Sequence, residues 1–544
     1  MNNKKVMGLF LLIWIVQSFI TAYFTELYAD EAYYWMYSRF PDWGYYDHPP
    51  GVGIMIWLGS FLGKTELAVR LVNILLMAGS IGIIYLLVKP KDTILFCLTV
   101  FSFLSIHILG FVSLPDTPFL FFSLVFFIAY KWFLREESLG SQVLLGISAA
   151  LMLYCKYHGI LVIFFVILSN AGLLANYRFY KSMFLGFLLF LPHIYWQISH
   201  HFPSLQYHLV DRASSNYSIN HTIEYVLGNL PFHGGLVAIC LFIASFYYKS
   251  TDLWEKALKW NLYGTLLFFF FITFKGQFIE PNWTIFCVFP LIFFGYKIIE
   301  NSKWISAYRI LTIIFGGVLV LAKIHLIHPL FLIRGDRVWD FHRHKQYAYN
   351  IDSIAGSNII VANSYQSASL LNFYTNKDYY ITALNINSRA NQYSIWKLDS
   401  ILCNSDVAFV SSHVRGKTVE GINFNKENVA IINNLTSTNN IRLVKSNFSF
   451  GDNFINISLT AIPHYQQSCD YHDELQLEFK CFQNKRLMAS NLFPFEIRDN
   501  QEQLSTYHYK IPVKQEQKID KLMVRVISGK LEGGTNNYLV INLK

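Results

Sequence analysis

The sequence predicts a polytopic α-helical membrane protein whose C-terminal part folds outside the membrane, and three observations lead there. Apolar stretches of about 15 to 22 residues recur from the N-terminus to about residue 325, most of them long enough to cross a hydrocarbon core of roughly 30 Å as helix. Only 15% of the 544 residues are charged while 53% are hydrophobic and 17% aromatic, against about 25% charged in an ordinary soluble domain. From about Phe331 the composition turns to Asn, Ser, Asp and Lys with short alternating runs. The mean hydropathy of +0.32 excludes disorder, coiled coil, collagen and a small disulfide scaffold.

Eleven spans are expected, over residues 7–24, 67–88, 93–110, 117–134, 142–156, 158–175, 183–198, 226–247, 260–274, 284–300 and 304–324. The fifth and sixth are short and joined by CKYHG. The first follows Met1 to Lys5 without a small-residue cleavage site and reads as an uncleaved anchor. With Lys4 and Lys5 placed inside, the alternating connections hold 13 basic residues inside and 6 outside, the bias of the positive-inside rule. The net charge of +9 therefore lies largely in short cytoplasmic loops, which argues against nucleic acid as a partner. An odd number of spans puts the chain after residue 325 outside.

Three domains follow: a transmembrane domain over 1–328, an α/β domain over 329–440 and a β-rich domain over 441–544. SNIIVANS and DVAFVSS read as strands and SASLLNFY as a helix; NFINISLTAI, LQLEFKCF and KLMVRVIS read as strands of a β-sandwich. Cys97, Cys155, Cys240 and Cys287 sit in or beside apolar spans as small hydrophobes. Cys403, Cys469 and Cys481 lie in the outer part, where an oxidising compartment would allow a Cys469–Cys481 bridge. No spacing suits a zinc site.

The outside loops carry the chemistry. The first, from Thr25 to Gly63, holds Glu26, Asp30, Glu31, Asp42 and Asp47 among many Tyr and Trp. The aromatics alone read as an interfacial belt. The adjacent Asp30 and Glu31 do not, because acids beside hydrocarbon are costly unless paired, metal-bound or used in chemistry. LPDTP adds Asp116 on the same side, where a capping Asp between prolines is the structural alternative. KGQFIEPNW contributes Lys275, Glu280, Asn282 and Trp283; HHFPSLQYHLVDR contributes His200, His201, His208 and Arg212; Lys156 and His158 complete the set.

Such a set suits a partner that enters from lipid. A carboxylate takes a proton from an attacking hydroxyl or amine, and cations neutralise a phosphate. Asp30 suits the first role; Lys156, Lys275, Arg212, and Arg334 or Arg337 suit the second. Glu31 and Asp116 stand beside Asp30 as catalytic candidates, and Tyr46, Asp47, His48, His201, Glu280 and Trp283 as substrate contacts. An Mg²⁺ or Mn²⁺ ion held by Asp30 and Glu31 is the cofactor that the oxygen-rich set would take.

DEAYYW at Asp30 to Trp35, GYYDHPPGVGIMIW at Gly44 to Trp57, ELAVRLVN at Glu66 to Asn73, LPDTP around Asp116, KYHG at Lys156, PHIYWQISHHFPSLQYH from Pro192 and EPNW at Glu280 resemble the membrane glycosyltransferases of the GT-C superfamily. FYTNKDYY from Phe373 is a further match in the outer part. The branch most similar includes the bacterial aminoarabinose transferases of lipid A and the protein O-mannosyltransferases. The resemblance covers most of residues 1–325 and is weak over the last 120 or so. It implies a GT-C type fold and inverting transfer of a sugar, hexosyl or pentosyl, from a polyprenyl-phosphate donor to a lipid, glycan or protein acceptor at the outer face of the membrane; the Asn-rich composition and the absence of eukaryotic retention signals point to a bacterial inner membrane. The acidic residue of the first outer loop, the family's proposed base or metal-associated residue, carries onto Asp30, and the second acidic position onto Asp116. Two other readings compete. A transporter or flippase of lipid-linked saccharides would show mid-span charges or broken helices in matched halves; an envelope-binding anchor would act through its outer domain.

Overall fold

The computed structural model describes residues 2–208, 217–331, 336–377, 380–421, 425–451, 454–463, 475–483, 486–495, 505–513, 519–531, 533–534 and 538–543. The chain forms two compact units, Met1–His342 and Arg343–Lys544. Residues 336–342, assigned by composition to the outer part, group with the first unit. Glu26 N donates to Phe341 O at 2.8 Å, and the His342 ring lies 2.7 Å from Leu326 O.

The first unit is a helical membrane protein with several spans. Among the described residues, six helices are long and apolar enough to cross a membrane, or seven if one sharply bent pair is a single span. Eleven were expected, and the lower number has local causes. The run 93–110 breaks at Ser102 and Phe103 into Thr93–Phe101 and Leu104–Leu109. The pair around CKYHG forms helices of 17 and 11 residues, Leu139–Cys155 and Gly159–Ser169. The run 226–247 turns by 99° between Ile219–Phe232 and Leu236–Tyr247. Gly234 and Gly235 make that turn with φ of 102° and 57°, a region a side chain rarely adopts, and a Cβ at Gly235 would come within 2.5 Å of Phe315. Leu253–Thr273 is long enough at 21 residues but opens on Glu255, Lys256 and Lys259.

Capping residues start the helices where the apolar runs begin. Thr65 accepts from Ala68 N at 3.1 Å to open Glu66–Val88, and Asp92 accepts from Leu95 N at 3.0 Å to open Thr93–Phe101. Among the described residues the larger core cluster of the unit includes Trp14, Ile74, Met77, Phe96, Phe119 and Phe127, and a smaller one is formed by Tyr225, Phe269, Ile279 and Trp283.

The second unit contains both the α/β and the β-rich parts. Its first sheet has the order 381–383, 359–362, 405–411, 426–435, 417–420, with the first three strands parallel. SASLLNFY lies in the helix Tyr365–Tyr374, as expected. The β-rich part has two antiparallel sheets, one from 441–451, 454–463 and 505–512, the other built on 475–483, 486–495 and 521–528. Ile455, Ile457 and Leu459 from one and Leu477, Phe479 and Val524 from the other fill a common core, which makes it the sandwich the alternation predicted.

Cys481 is a free, buried thiol in that core, and Cys403 is disulfide-bonded. The Cys469–Cys481 bridge is therefore not formed; Cys469 itself lies outside the described residues. Burial pushes the Cys481 thiol up to about 11. Because only the thiolate reacts, Cys481 in the folded protein is expected to take up maleimide at neutral pH roughly 100-fold more slowly than after unfolding, read by peptide mass mapping. Rapid labelling of the folded chain would contradict its place in the core.

Candidate active site

The helix Ala29–Arg39 carries Asp30 and Glu31 in its first turn, where the positive end of the helix dipole favours carboxylates. The two adjacent acids have different surroundings. Glu31 is fully buried and meets Arg70, also fully buried, in a bidentate pair: Nε to Oε1 at 2.9 Å and Nη2 to Oε2 at 2.6 Å. Glu31 also accepts from Tyr28 N at 3.0 Å and Ser113 N at 2.8 Å. Arg70 donates further to Ala22 O, Thr25 O, Thr25 Oγ1 and Glu26 O at 2.8 to 3.1 Å. Its guanidinium lies 5.2 Å from the Phe111 ring centroid. One ion pair thus ties the end of Asn3–Phe24, the start of the acidic helix and the LPDTP loop together. Asn73, one turn along from Arg70, donates to Leu109 O at 2.7 Å and Val112 O at 3.0 Å and fixes the same loop.

Asp116 opens the helix Asp116–Arg135 and is buried. One oxygen accepts from Lys156 Nζ at 2.7 Å, the other from Asn282 Nδ2 at 3.0 Å. The Lys156 ammonium also stands 6.0 Å from the Trp283 centroid, and His158 packs against Trp283 at 5.1 Å. Three motifs separated in sequence, LPDTP, KYHG and EPNW, therefore form one buried cluster. The Glu31–Ser113 bond joins it to the Asp30 turn.

The GYYDHPP hairpin docks on a third network. Tyr157 Oη lies 3.0 Å from His193 Nε2 and accepts from Gln197 Nε2 at 3.0 Å; Gln197 also donates to Ser204 Oγ at 2.7 Å, and Ser204 donates to Tyr45 O at 3.0 Å. His193 Nδ1 lies 2.7 Å from Trp43 O, and the Trp196 indole donates to Asp42 at 2.8 Å. Gly44 is required there, since a Cβ would meet the Trp196 ring at 2.5 Å. Asp47, within this hairpin, is buried, and His208 Nε2 lies 3.0 Å from its carbonyl oxygen. Tyr46 packs on Tyr207 at 6.0 Å, and His48 on Tyr34 at 5.6 Å.

Asp30 is half-buried. Burial pushes the neighbouring Tyr28 hydroxyl well above the usual tyrosine range, with the negative charges of Asp30, Asp340 and Glu280 adding to the effect and Arg337 opposing part of it. These four charged groups therefore lie within electrostatic reach of one hydroxyl. Arg337 is 89% exposed and 3.5 Å from the buried Asp340. Lys275 and His201 are exposed, and His201 has a φ of 61°. Arg212 and Arg334 lie outside the described residues.

The described residues hold no group of three or more His, Cys, Asp or Glu able to hold a metal ion. With both Glu31 oxygens engaged by Arg70 and backbone N–H groups, the expected Asp30–Glu31 chelate does not fit the arrangement, and no step below uses a metal. Arg70, Asn73, Tyr157, His193 and Gln197 were not among the candidate residues. Their signal was present, since ELAVRLVN puts an Arg and an Asn one turn apart in an otherwise apolar helix, where polar groups demand partners.

A model of the dolichyl-phosphate-mannose-protein mannosyltransferase family matches residues 47–196. That stretch holds Asp47, Arg70, Asp116, Lys156 and His193. Among solved structures, ArnT from Cupriavidus metallidurans in the apo state is similar at a TM-score of 0.54 and 12% identity, over 74% of this chain and 92% of that one. The same protein bound to undecaprenyl phosphate gives a TM-score of 0.42 and 15% identity, over 64% and 70% of the two chains. No curated protein matches at a significant level. The family model thus matches a segment of the membrane unit, and the likeness to the apo structure is one of fold.

Proposed function

We propose that the protein transfers a sugar from a polyprenyl-phosphate carrier to an acceptor at the outer face of a bacterial inner membrane, with inversion at the anomeric carbon. The acceptor oxygen or nitrogen attacks that carbon, and the bond from the carbon to the phosphate oxygen breaks. The polyprenyl phosphate leaves with the electron pair, and the acceptor proton passes to Asp30. The observation that supports this assignment is the position of Asp30, half-buried in the first turn of its helix and within electrostatic reach of the same Tyr28 hydroxyl as Glu280 and Arg337.

Lys156, Lys275 and Arg337 are the described cations assigned to the carrier phosphate, with Arg212 and Arg334 retained from the sequence. Because a phosphate is a good leaving group once its charge is screened, such contacts matter more here than a strong general acid. Glu280 and Trp283, which flank Asn282, are assigned to the sugar, and Tyr46, Asp47, His48 and His201 to the wall behind it.

The decisive experiment supplies purified full-length protein with synthetic polyprenyl-phosphate sugars and acceptor extracts, and follows product by mass spectrometry and anomeric configuration by NMR. Covalent transfer with inversion is expected; a retained configuration would remove the single-displacement mechanism. The transport reading expects broken helices in matched halves, and among the described residues there is one bent pair, Ile219–Phe232 with Leu236–Tyr247 at 99°. Movement of saccharide across liposomes with no covalent product would favour that reading.

A further inference from the structure

At the end of the first unit opposite Asp116, a cleft of about 500 Å³ is lined by Lys89, Lys91, Lys131 and Lys297 together with Glu255 and Glu300. The volume falls within the range of small-ligand sites, roughly 300 to 1,000 Å³. Its position follows from the helices themselves. Asp116–Arg135 begins with Asp116 and carries Lys131 near its other end; Pro281–Ile299 has Asn282 at its start and Lys297 near its end; Glu66–Val88 holds Arg70 early and is followed by Lys89. Fifteen residues at 1.5 Å each put Lys131 about 22 Å along the axis from Asp116.

The carboxylates in the cleft are already satisfied. Glu255 accepts from Tyr248 Oη at 2.8 Å, Thr251 N at 2.8 Å and Thr251 Oγ1 at 2.9 Å. Glu300 accepts from Lys91 N at 3.0 Å, while the Lys91 ammonium donates to Asn301 at 2.7 Å. Lys131 and Lys297 are half-buried. Their ammonium groups rest on aromatic faces, Lys131 at 4.1 Å from the Trp254 centroid and Lys297 at 3.9 Å from that of Phe293. Neither forms an ion pair with an acid among the described residues; Lys297 lies within electrostatic reach of Glu255, Lys131, Glu300 and Asp252. Four lysines against two glutamates leave the cleft lining with a positive excess, and partly desolvated ammonium groups there favour an added anion. Leu87, Val88 and Phe293 give the cleft an apolar side as well.

We propose that this cleft binds the phosphate of an anionic phospholipid headgroup, with Lys131 and Lys297 as its ligands and Lys89 at the mouth. Basic pockets between helices on the cytoplasmic side are suited to such headgroups, and the apolar side accommodates the start of the acyl chains. The assignment to the inner leaflet rests on the outer-face reading of the active site; the binding itself does not.

The test uses delipidated full-length protein titrated with phosphatidylglycerol, phosphatidylethanolamine or inorganic phosphate and read by native mass spectrometry, independently of any transfer activity. Wild type is expected to prefer phosphatidylglycerol. Lys131→Gln with Lys297→Gln is expected to weaken it about 30-fold, near fivefold per lysine, and Lys297→Gln alone about fivefold. The double Arg variant should retain binding, and Lys4→Gln with Lys5→Gln, which removes the same charge elsewhere, should change it little. The lipid-free unfolding temperature of each variant checks that the fold is intact. Equal losses in the Lys4/Lys5 control, no preference over phosphatidylethanolamine, or inorganic phosphate bound as tightly as the lipid would each overturn the proposal.

Discussion

Asp30→Asn is expected to lower turnover of the sugar transfer by about two to four orders of magnitude, the range typical of removing a positioned general base. The substitution is nearly isosteric and stays in the first turn of Ala29–Arg39. The structural cost is then limited to the favourable interaction of a carboxylate with the helix N-terminus, about 0.3 to 1 kcal/mol. Donor binding should change far less than kcat, because the proton transfer occurs only in the transition state. Measuring kcat and donor affinity separately, together with the unfolding temperature, isolates the effect. Full turnover in the variant would take the base role from Asp30. A donor affinity that fell with kcat would make Asp30 a binding residue instead. An envelope anchor acting through its outer part would be indifferent to the change.

Much of the fold was legible because hydrophobic patterning is strong at both ends of the chain. Each of the eleven apolar runs overlaps a helix, and the alternating LQLEFKCF lies in the strand Leu475–Gln483. The number of full-length spans was not legible, because breaks depend on single positions. Gly234 and Gly235 adopt left-handed conformations inside a run that hydropathy reads as continuous. The site was legible as a set of motifs but not as roles. Asp30 and Glu31 are neighbours in sequence, yet successive residues of an α-helix point about 100° apart, so one acid reaches Arg70 while the other faces elsewhere. Composition could not find Arg70 either: it counted as one more outside charge, although it is fully buried. Disulfide connectivity is not encoded in cysteine spacing, and the bridge pairing Cys469 with Cys481 was misplaced for that reason.

Glu31→Gln and Arg70→Met are each expected to destabilise the first unit by about 3 to 5 kcal/mol, the cost of leaving one buried charge without its partner. The pair is sealed from solvent on both sides, so water cannot take the place of the missing group. Arg70→Met also strips donors from Ala22, Thr25 and Glu26, which places it at the upper end of that range. The double variant should recover part of the loss, because no uncompensated charge then remains, and the coupling energy from the four unfolding measurements reports the pair directly. Activity should follow stability: both single variants loosen the turn that holds Asp30 and the LPDTP loop that holds Asp116. At a temperature where the variants remain folded, Glu31→Gln should therefore retain a larger share of its kcat than Asp30→Asn. A Glu31→Gln protein that kept the wild-type unfolding temperature but lost turnover as completely as Asp30→Asn would show the opposite. Glu31 would then belong to the chemistry, and the Arg70 contact would serve to tune it.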